Sequence, residues 1–302
     1  MNVKKALITG ADGQDGFYLS KFLETKNYKV FKTDKNTLDI CDSKKVFDFI
    51  KNNNPDEIYN LAAQSHVGNS FKNPETTIKI NSLGVINLLD SIIKLNLNIK
   101  FFQASSICIY DLTNPYALSK KLAHDMVIMY RNKYGIFAVN GILSNHESPM
   151  RDFNFVTQKV TYAAACAKLG INNSKILNEE GEPIFKNGKV ELGNLDATRD
   201  WGFAGDYVEG MWKMLQAEKA DDYVLATGET HTIKELCEES FSNVGLNWED
   251  FVVVDNRFVR STEIKPIIEN SEKAKKLLGW EPKTKFTDLV KMMVDSNVER
   301  LK

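Results

Sequence analysis

Short apolar runs alternate with segments of helical spacing in the first half of this chain, and this alternation constrains the fold most strongly. The apolar runs, which we interpret as buried strands, are ALIT, KVFKT, EIYNLAA, KFFQAS and FAVNGIL, at residues 6–9, 29–33, 57–63, 100–105 and 137–143. Helical spacing fills residues 14–26, 43–52, 75–96 and 115–134, with Pro74 and Pro115 at two helix starts. Such alternation predicts βαβ units wound into a parallel sheet by right-handed crossovers.

The pattern loosens after Pro149. Helical spacing recurs near residues 153–169, 205–217 and 232–244, a strand pattern covers residues 223–227, and two helices end the chain. The polar stretch NEEGEPIFKNGKVEL looks like a hairpin or an exposed excursion. We therefore expect an α/β fold, a Rossmann-type doubly wound parallel sheet with a smaller C-terminal substrate-binding lobe. The sheet domain would span residues 1–150, with 200–230 returning to it, and the lobe would span 151–199 and 231–302.

Charge and cysteine usage exclude several classes of protein. The 302 residues include 39 Lys and Arg and 40 Asp and Glu in mixed order, so we expect neither a nucleic-acid surface nor a membrane surface. The four cysteines lie far apart without a CxxC, which disfavours a disulfide framework and a metal site. No apolar run is long enough to span a bilayer, and the first residues lack a signal-peptide pattern. We expect a soluble cytoplasmic protein.

A glycine-rich turn follows the first strand. ALITGADGQDG places Gly10, Gly13 and Gly16 at the mouth of the first helix, where glycines allow a pyrophosphate to approach the helix N-terminus. A purely structural turn is the alternative. Asp34 ends the second strand, where a carboxylate can bind the ribose hydroxyls and repel a 2′-phosphate. This favours NAD over NADP, although two neighbouring lysines leave NADP open.

A tyrosine and a lysine lie one helical turn apart in the sequence YALSK. Tyr116 and Lys120 share a helix face, and the ammonium lowers the pKa of the phenol. The tyrosine can then take a proton from a sugar hydroxyl while hydride leaves for nicotinamide. The pair follows both the glycine turn and a strand that ends in Ser105-Ser106. Together these features resemble the extended short-chain dehydrogenase/reductase superfamily, which implies that Ser106 is the hydroxyl partner of Tyr116.

Longer motifs narrow the resemblance. YNLAAQSHVGNSF, GIFAVNGILSNHESP, LGNLDATRDWGFAGDYVEGMW, DDYVLATGETHTIKE and KKLLGWEPK are similar to segments of the GDP-mannose 4,6-dehydratase family. The resemblance covers nearly the whole chain. It implies a GDP-sugar held between the nucleotide-binding sheet and the lobe. Superfamily members pair through the helices predicted at 75–96 and 115–134, so we expect a homodimer, with a tetramer as the alternative.

The resemblance also implies the residues of the site. The catalytic residues would be Ser106, Tyr116 and Lys120. The NAD site would consist of Gly10, Gly13, Gln14, Asp15, Gly16, Asp34, Asp39, Ile40, Leu61, Ala62, Ala63, Tyr116, Lys120, Leu143, Asn145 and His146. The substrate would contact Ser65, Ser106, Cys108, Asn145, Val156, Lys159, Leu192, Gly193, Arg199, Arg260 and Glu263.

Some of these residues carry a more specific expectation. Asn145, Arg199 and Arg260 would bind the diphosphate, because arginines form charge-assisted bonds with its oxygens. Val156 and Lys159 would flank the guanine, and Ser65 and Glu263 would approach the sugar. Asp39 and Ile40 would line the adenine pocket, with a surface aspartate beside a core isoleucine as the alternative. We interpret His66 and His146 as structural rather than catalytic.

One segment departs from the family. The family has Ser-Thr-Ser-Glu before Leu-Tyr-Gly, whereas this chain has QASSICIYD, which places Ser106 at the threonine and Cys108 at the glutamate. In dehydration, a carboxyl group removes the C5 proton and protonates the leaving C6 hydroxyl. Removing such a group slows a reaction by roughly a hundred- to ten-thousand-fold. A thiol, with a pKa of about 8.5 that the apolar neighbours Ile107 and Ile109 would raise, is a poor replacement. We expect a small apolar filler there.

Two connections are also shorter than in the family. The chain passes from Asp34 to Asp39 without the family's longer Arg-containing loop, which is associated with the NADP phosphate and with tetramer contacts. Only Leu112 to Pro115 separate Asp111 from Tyr116, which would leave room for a larger sugar such as a heptose. The excursion at residues 172–189 is longer than in the family, and the sequence assigns it no role.

These features lead to one hypothesis and three alternatives. The hypothesis is NAD-dependent oxidation of C4 of a GDP-sugar, such as GDP-mannose or a GDP-manno-heptose, to the 4-keto sugar without dehydration. A second oxidant such as a 2-oxo acid would reoxidise the NADH. The alternatives are a 4-ketoreductase or 4-epimerase, a dehydratase that uses another acid such as Asp111, and a silent sensor or subunit. The family-level expectation for the pathway is a bacterial surface polysaccharide such as a capsule.

Overall fold

The central sheet contains six parallel strands in the computed structural model, which describes residues 3–178, 181–258 and 270–302. In chain order, the strands of the described residues are β1 Lys5–Thr9, β2 Lys29–Thr33, β3 Glu57–Asn60, β4 Lys100–Ser106, β5 Ala138–Leu143, β6 Asn145–Glu147, β7 Val190–Leu192, β8 Thr198–Arg199, β9 Trp201–Phe203, β10 Tyr223–Leu225, β11 His231–Thr232 and β12 Val252–Val254. The order across the sheet is β10-β5-β4-β3-β1-β2, with parallel neighbours throughout. The predicted parallel sheet is confirmed.

Helices alternate with these strands. They are α1 Gln14–Thr25, α2 Ser43–Asn53, α3 Val67–Lys72, α4 Pro74–Ile78, α5 Gly84–Leu95, α6 Pro115–Tyr134, α7 Val156–Lys168, α8 Ala204–Gln216, α9 Ile233–Ser242, α10 Glu272–Leu278 and α11 Phe286–Leu301. A π-helical turn, Lys79–Leu83, joins α4 to α5. The helix predicted at 75–96 therefore consists of three pieces, and the short α3 was not predicted.

Both faces of the central sheet are covered, because successive side chains of each strand point to opposite faces. Leu7, Ile58 and Phe101 pack into one apolar cluster with residues of α2, α5 and α6. The next residue of each strand, namely Ile8, Tyr59 and Phe102, packs into a second cluster with residues of α1 and α8. This is a doubly wound fold. The neighbours of β1 are β2 and β3, so the winding reverses there, and the carboxyl edge of β1 and β3 is where such sheets bind ligands.

The described residues divide into two compact units. The first comprises residues 3–144, 205–225 and 270–281, and the second comprises residues 145–178, 181–204, 226–258 and 282–302. The sequence assigned Asn270–Glu281 to the lobe, but this segment belongs to the first unit. Trp280 explains the difference, because its ring is buried and its Nε1 donates to the Asp206 carbonyl at 2.8 Å.

The second unit is built around its own apolar core. Its strands pair as β7 with β12, β6 with β9, and β8 with β11. The polar excursion is anchored in this core, since Phe185 is buried and an antiparallel bridge joins Leu177 to Pro183. Across the described parts of the chain, no helix has the length and apolarity needed to cross a bilayer.

Candidate active site

The glycine turn after β1 is shaped by close backbone contacts. Gly10 has a φ of 67°, and a Cβ atom there would lie 2.8 Å from the backbone N of Ala62, in the chain that leaves β3. A Cβ atom on Gly16 would lie 2.5 Å from Cα of Ala11. Gly13 is different, since its Cβ atom would meet only the Gly10 carbonyl oxygen, at 3.4 Å. Gly13 is the N-cap residue of α1 and places no side chain at the helix N-terminus, where a pyrophosphate can bind the backbone N–H groups.

Two glycine substitutions should separate folding from cofactor binding. We expect Gly16→Ala to reduce the free energy of unfolding by about 1–3 kcal/mol, because the new methyl group overlaps the Ala11 backbone. Gly13→Ala should leave stability near that of the wild type and weaken dinucleotide binding. Thermal denaturation and a dinucleotide titration measure the two effects. Equal loss of stability in both variants would contradict the assignment of Gly13 to the ligand.

Asp34 carries its negative charge in a tight turn. Its Oδ1 accepts hydrogen bonds from the Thr37 hydroxyl at 2.7 Å and the Thr37 backbone N–H at 2.8 Å. These bonds lower the pKa of Asp34. The neighbouring Lys32 pairs with Glu24 at 2.7 Å. The carboxylate is therefore available as an acceptor, and the charge of Lys32 is balanced elsewhere.

The two residues predicted to line an adenine pocket differ in position. Ile40 is buried in the core, and it lies against Gly84, where a Cβ atom would come within 2.5 Å of the Ile40 Cδ1. The Asp39 carboxylate accepts the Cys41 backbone N–H at 2.9 Å. Ile40 thus has the core position that the sequence left as an alternative.

A chain of buried hydrogen bonds runs across the carboxyl ends of β1, β3 and β4. The Thr9 hydroxyl donates to Asn60 Oδ1 at 2.6 Å, and Asn60 Nδ2 donates to Gln103 Oε1 at 2.8 Å. Gln103 Nε2 donates to the Ala104 carbonyl at 3.0 Å, and the same carbonyl accepts Lys120 Nζ at 2.7 Å. Lys120 is therefore connected to the edge where the glycine turn lies.

Tyr116 and Lys120 occupy the buried face of α6. The helix begins at Pro115, where the Asn114 side chain accepts the Ala117 N–H at 2.9 Å. Lys120 Nζ lies 6.0 Å from the centre of the Tyr116 ring. Burial lowers the pKa of Lys120 from 10.5 to about 8, and its electrostatic interactions with the nearby Cys108 and Asp15 partly oppose this effect. Lys120 is thus a cation at neutral pH, and a nearby cation favours the phenolate of Tyr116.

Ser106 and Cys108 lie at the end of β4. Ser106 is buried, and its Oγ accepts the Cys108 N–H at 3.2 Å, which starts the 3₁₀ turn Ile107–Tyr110. The Asp111 N–H donates to the Cys108 carbonyl at 3.0 Å and ends that turn. Cys108 is partly buried. The backbone at residue 108 is therefore fixed on both sides.

Asn81 is a residue of this region that the sequence analysis missed. It is buried in the π-helical turn, and its side chain accepts the Gln64 N–H at 2.8 Å and donates to the Gln64 carbonyl at 3.0 Å. Its Nδ2 also donates to the Ser119 hydroxyl at 2.9 Å. Asn81 thus fastens the chain after β3 to α6 between Tyr116 and Lys120. Other polar residues surround Asn81 in the sequence, so it carried no distinctive signal; its π-helical turn does, since such turns are frequent at functional sites.

The remaining predicted residues are distributed over both units. In the first unit, Ser65 is exposed after β3, Leu61, Ala62 and Ala63 are partly buried, Gln14 and Asp15 open α1, and Leu143 is buried at the end of β5. In the second unit, Asn145 and His146 lie in β6, and Arg199 lies in β8. Val156 is the first residue of α7, and Lys159 of the same helix has its Nζ 5.1 Å from the centre of the Phe258 ring. Leu192 is the last residue of β7, and Gly193 follows it. Arg260 and Glu263 lie outside the described residues.

By sequence, this chain is similar to known proteins of one family. The family model for GDP-mannose 4,6 dehydratase matches residues 35–293. GDP-mannose 4,6 dehydratase 1 of Arabidopsis thaliana is 42% identical over 346 residues, which cover 99% of this chain and 91% of the relative. GDP-mannose 4,6 dehydratase of Dictyostelium discoideum is 37% identical, over 99% of this chain and 97% of its own. Both alignments are longer than this chain, so the relatives contain residues that it lacks.

The fold is shared with solved structures of lower sequence identity. RMD of Pseudomonas aeruginosa, solved with NADPH, superposes with a TM-score of 0.84 at 21% identity over 99% of this chain and 100% of its own. That similarity supports the fold. The family match and the curated relatives identify the family: this chain belongs to the GDP-mannose 4,6-dehydratase family.

Proposed function

We propose that this enzyme oxidises C4 of a GDP-sugar to a ketone with NAD and releases the 4-keto sugar without loss of water. The observation that most supports this proposal is which residues lie at the end of β4 and on α6. The groups needed for oxidation, Ser106, Tyr116 and Lys120, are present there. Cys108, a thiol, stands where the family resemblance implies a carboxylate.

Each of the three residues has a distinct role in the oxidation. Tyr116, as a phenolate, takes the proton of the C4 hydroxyl. The Lys120 cation stabilises the phenolate electrostatically. Ser106 is the hydroxyl partner that orients the C4 oxygen toward Tyr116. NAD, when bound, supplies the hydride acceptor, and the fit of Gly13 to a pyrophosphate and the charged Asp34 support this cofactor.

The proposal assigns no elimination step to residue 108. Removal of the C5 proton and protonation of the C6 hydroxyl both need a group that exchanges protons near neutral pH. An ordinary thiol has a pKa of about 8.5, so near neutral pH it is mostly protonated and is a weak general base for the C5 proton. Asp111, three residues later and partly buried, is the carboxylate that the alternative of a true dehydratase would use.

The nucleotide part of the substrate is assigned to residues of the second unit. Asn145 and Arg199, joined by Arg260, would bind the diphosphate, while Val156 and Lys159 would flank the guanine. The chemistry supports this assignment, because a guanidinium binds phosphate oxygens in a bidentate way. The sugar is proposed to be a mannose or a manno-heptose, approached by Ser65 and Glu263.

Redox balance requires one further reactant. Forming the ketone removes two hydrogens from the sugar, whereas a dehydratase returns the hydride to C6 and ends redox-neutral. Repeated turnover of the proposed reaction therefore needs either exchange of NADH for NAD or a second oxidant. We propose a small 2-oxo acid, which would be reduced to the hydroxy acid as the cofactor is reoxidised.

Turnover counting tests this recycling. The purified protein is mixed with GDP-mannose or a GDP-manno-heptose, and the ketone formed per protein is counted with no addition, with excess NAD and with a panel of 2-oxo acids. We expect one of the additions to raise the yield well above one ketone per site. A yield limited to one under all conditions would contradict the recycling step.

A homodimer is proposed from the exposed apolar residues on the helices that the family resemblance implicates. Leu118, Leu122 and Met129 are exposed along one side of α6, and Ile78 and Leu83 are exposed in and after α4. Leu118→Asp should convert a dimer to a monomer in sedimentation velocity. Leu277→Asp, at an exposed leucine of α10, is the control and should remain dimeric. A wild-type monomer would contradict the proposal.

A further inference from the structure

His124 is a buried titratable group that the proposed chemistry does not use. It follows Lys120 by four residues on α6, as Lys120 follows Tyr116 by four. Residues at this spacing lie on one face of a helix, so the three side chains form one row. All three are buried. A histidine buried in the row that carries the catalytic pair requires a specific partner.

The partner of His124 lies in β4, the strand that also carries Ser106. The Ser105 hydroxyl lies 3.1 Å from His124 Nδ1, and the bond is buried. One residue earlier in β4, the Ala104 carbonyl accepts Lys120 Nζ at 2.7 Å. Successive residues of β4 are therefore tied to successive turns of α6. Ser106 is the next residue of that strand, and its position relative to Tyr116 depends on these ties.

The opposite side of the His124 ring faces an anchored carboxylate. His124 Nε2 lies 3.9 Å from Asp222 Oδ2. Asp222 is held by the Arg131 guanidinium at 2.8 and 3.2 Å and by the Asn140 backbone N–H at 3.1 Å. Asn140 Nδ2 donates both to Asp222 at 3.0 Å and to the His124 carbonyl at 3.2 Å. The ring is therefore held between β4 and the carboxylate that precedes β10.

Burial of the His124 ring favours its neutral state. Burial lowers the pKa of His124, the carboxylates Asp222 and Asp125 oppose that effect, and Lys121 and Arg131 add to it. The remaining close groups, Ser105 and Asn140, are uncharged. Lys273, which donates to the Asp222 carbonyl, pairs with Asp221 at 2.6 Å.

The neutral ring suits both of its neighbours, since it can bond Ser105 through Nδ1 and turn an N–H toward Asp222, 3.9 Å away. With its proton on Nε2, the ring accepts the Ser105 O–H at Nδ1 and directs an N–H toward Asp222. Protonation places a hydrogen on Nδ1 as well, so the Ser105 hydroxyl must turn its own hydrogen away. It also puts a second cation beside Arg131. Protonation therefore reverses the hydrogen bond between β4 and α6, because Nδ1 then donates to the Ser105 hydroxyl oxygen.

We propose that His124 is a positioning residue of the oxidation. In its neutral state it holds Ser105 so that Ser106 and Tyr116 address the same sugar hydroxyl, and protonation in mild acid loosens this arrangement. The inference rests on the proposed C4 oxidation, since hydride transfer is the step it controls. It predicts an effect on the rate of hydride transfer with little effect on substrate or dinucleotide affinity.

Four variants of the full chain test this role. His124→Leu removes the acceptor, Ser105→Ala removes the donor, and His124→Asn keeps an oxygen acceptor near the position of Nδ1. Lys133→Ala, at an exposed residue of the same helix, is the control. Single-turnover hydride transfer with GDP-mannose, or with the GDP-sugar that the wild type oxidises, is followed from about pH 5 to about pH 8, on both sides of the ordinary histidine pKa.

The expected pattern separates positioning from simple folding. His124→Leu and Ser105→Ala should each slow hydride transfer about tenfold or more, with KM within about twofold, and the double variant should be no slower than the single ones because one contact is lost. His124→Asn should recover most of the rate. The wild-type rate should fall below about pH 6.5 with an ionisation that His124→Asn lacks. Lys133→Ala should match the wild type.

Each contrary result has a definite meaning. Wild-type rates in both His124→Leu and Ser105→Ala would overturn the proposal, as would a wild-type acid profile in His124→Asn. If His124→Leu does not fold, the hydride-transfer rate of Ser105→Ala and the pH profile of His124→Asn test the proposal instead. Absence of hydride transfer in the wild type with every GDP-sugar contradicts the proposed function and removes this inference with it. Normal wild-type transfer with unaffected variants contradicts this inference alone.

Discussion

Replacing Cys108 by glutamate is expected to give an enzyme whose product has lost one water. The backbone at this position is fixed by the hydrogen bonds of Cys108 with Ser106 and Asp111, so a longer side chain starts from a defined place. Residue 108 also lies close enough to Lys120 for Cys108 to raise the pKa of the lysine electrostatically. A carboxyl group there can take the C5 proton and pass a proton to the C6 hydroxyl. We expect the elimination to accelerate by about a hundred- to ten-thousand-fold.

The measurement is the mass of the product from Cys108→Glu with GDP-mannose and with a GDP-manno-heptose. Cys108→Gln is the matched control, because the amide has the shape of the glutamate but cannot exchange protons near neutral pH. Asp111→Asn in the otherwise native chain tests the replacement acid. If Cys108→Glu releases only the ketone while it still transfers hydride, residue 108 does not decide between the two reactions.

Replacing Lys120 by methionine is expected to change activity and stability in opposite directions. Hydride transfer should fall by about a hundred- to ten-thousand-fold, because the phenolate of Tyr116 loses the cation that stabilises it. The cofactor-free protein should become more stable at pH 7, where Lys120 is protonated in both the folded and unfolded states. Burial lowers its pKa from 10.5 to about 8, so the folded protein holds an unfavourable buried charge. That difference corresponds to a gain of about 3 kcal/mol at most.

The pH dependence provides a second readout of the same lysine. Between about pH 8 and about pH 10.5 the unfolded chain binds a proton at Lys120 that the folded chain does not, so wild-type stability should rise through this window. Lys120→Met should lack that rise. The Ala104 carbonyl keeps its bond from Gln103 at 3.0 Å in the variant, so no buried acceptor is left without a donor.

Thermal denaturation of the cofactor-free proteins measures these effects. Lys121→Met is the control, because Lys121 has a 38% exposed side chain and pairs with Asp125, so its removal should give no gain. A Lys120→Met protein less stable than the wild type at pH 7 would show that the buried ammonium is better satisfied than its single hydrogen bond to Ala104 suggests.

The sheet and most helices could be predicted because their signals are local. The run from Ala6 to Ile8 is apolar and lies in β1, and the strand predicted at 29–33 and the helix predicted at 115–134 have those bounds in the structure. Local sequence signals did not predict the features that depend on packing between distant parts of the chain. The apolar Leu61 to Ala63 do not continue β3, because Gly10 brings the turn after β1 against them.

In the candidate site, too, the residues with local signals were predictable and those with distant partners were not. Tyr116 and Lys120 are recognisable from their spacing, and Ser106 from the end of its strand. Asn81 and His124 were missed because their roles depend on partners distant in sequence: Asn81 on Gln64 and Ser119, and His124 on Ser105 and Asp222. Burial of a polar side chain marks both positions in the structure, but the sequence names neither the burial nor the partner.

The most direct test of the central claim is mass spectrometry of the product that the wild-type protein makes from a GDP-sugar in the presence of NAD. The account predicts a GDP-sugar lighter by two hydrogens, which is the 4-ketone with its C6 hydroxyl intact. A GDP-sugar lighter by one water would contradict it, since another residue must then supply the acid and base that Cys108 does not.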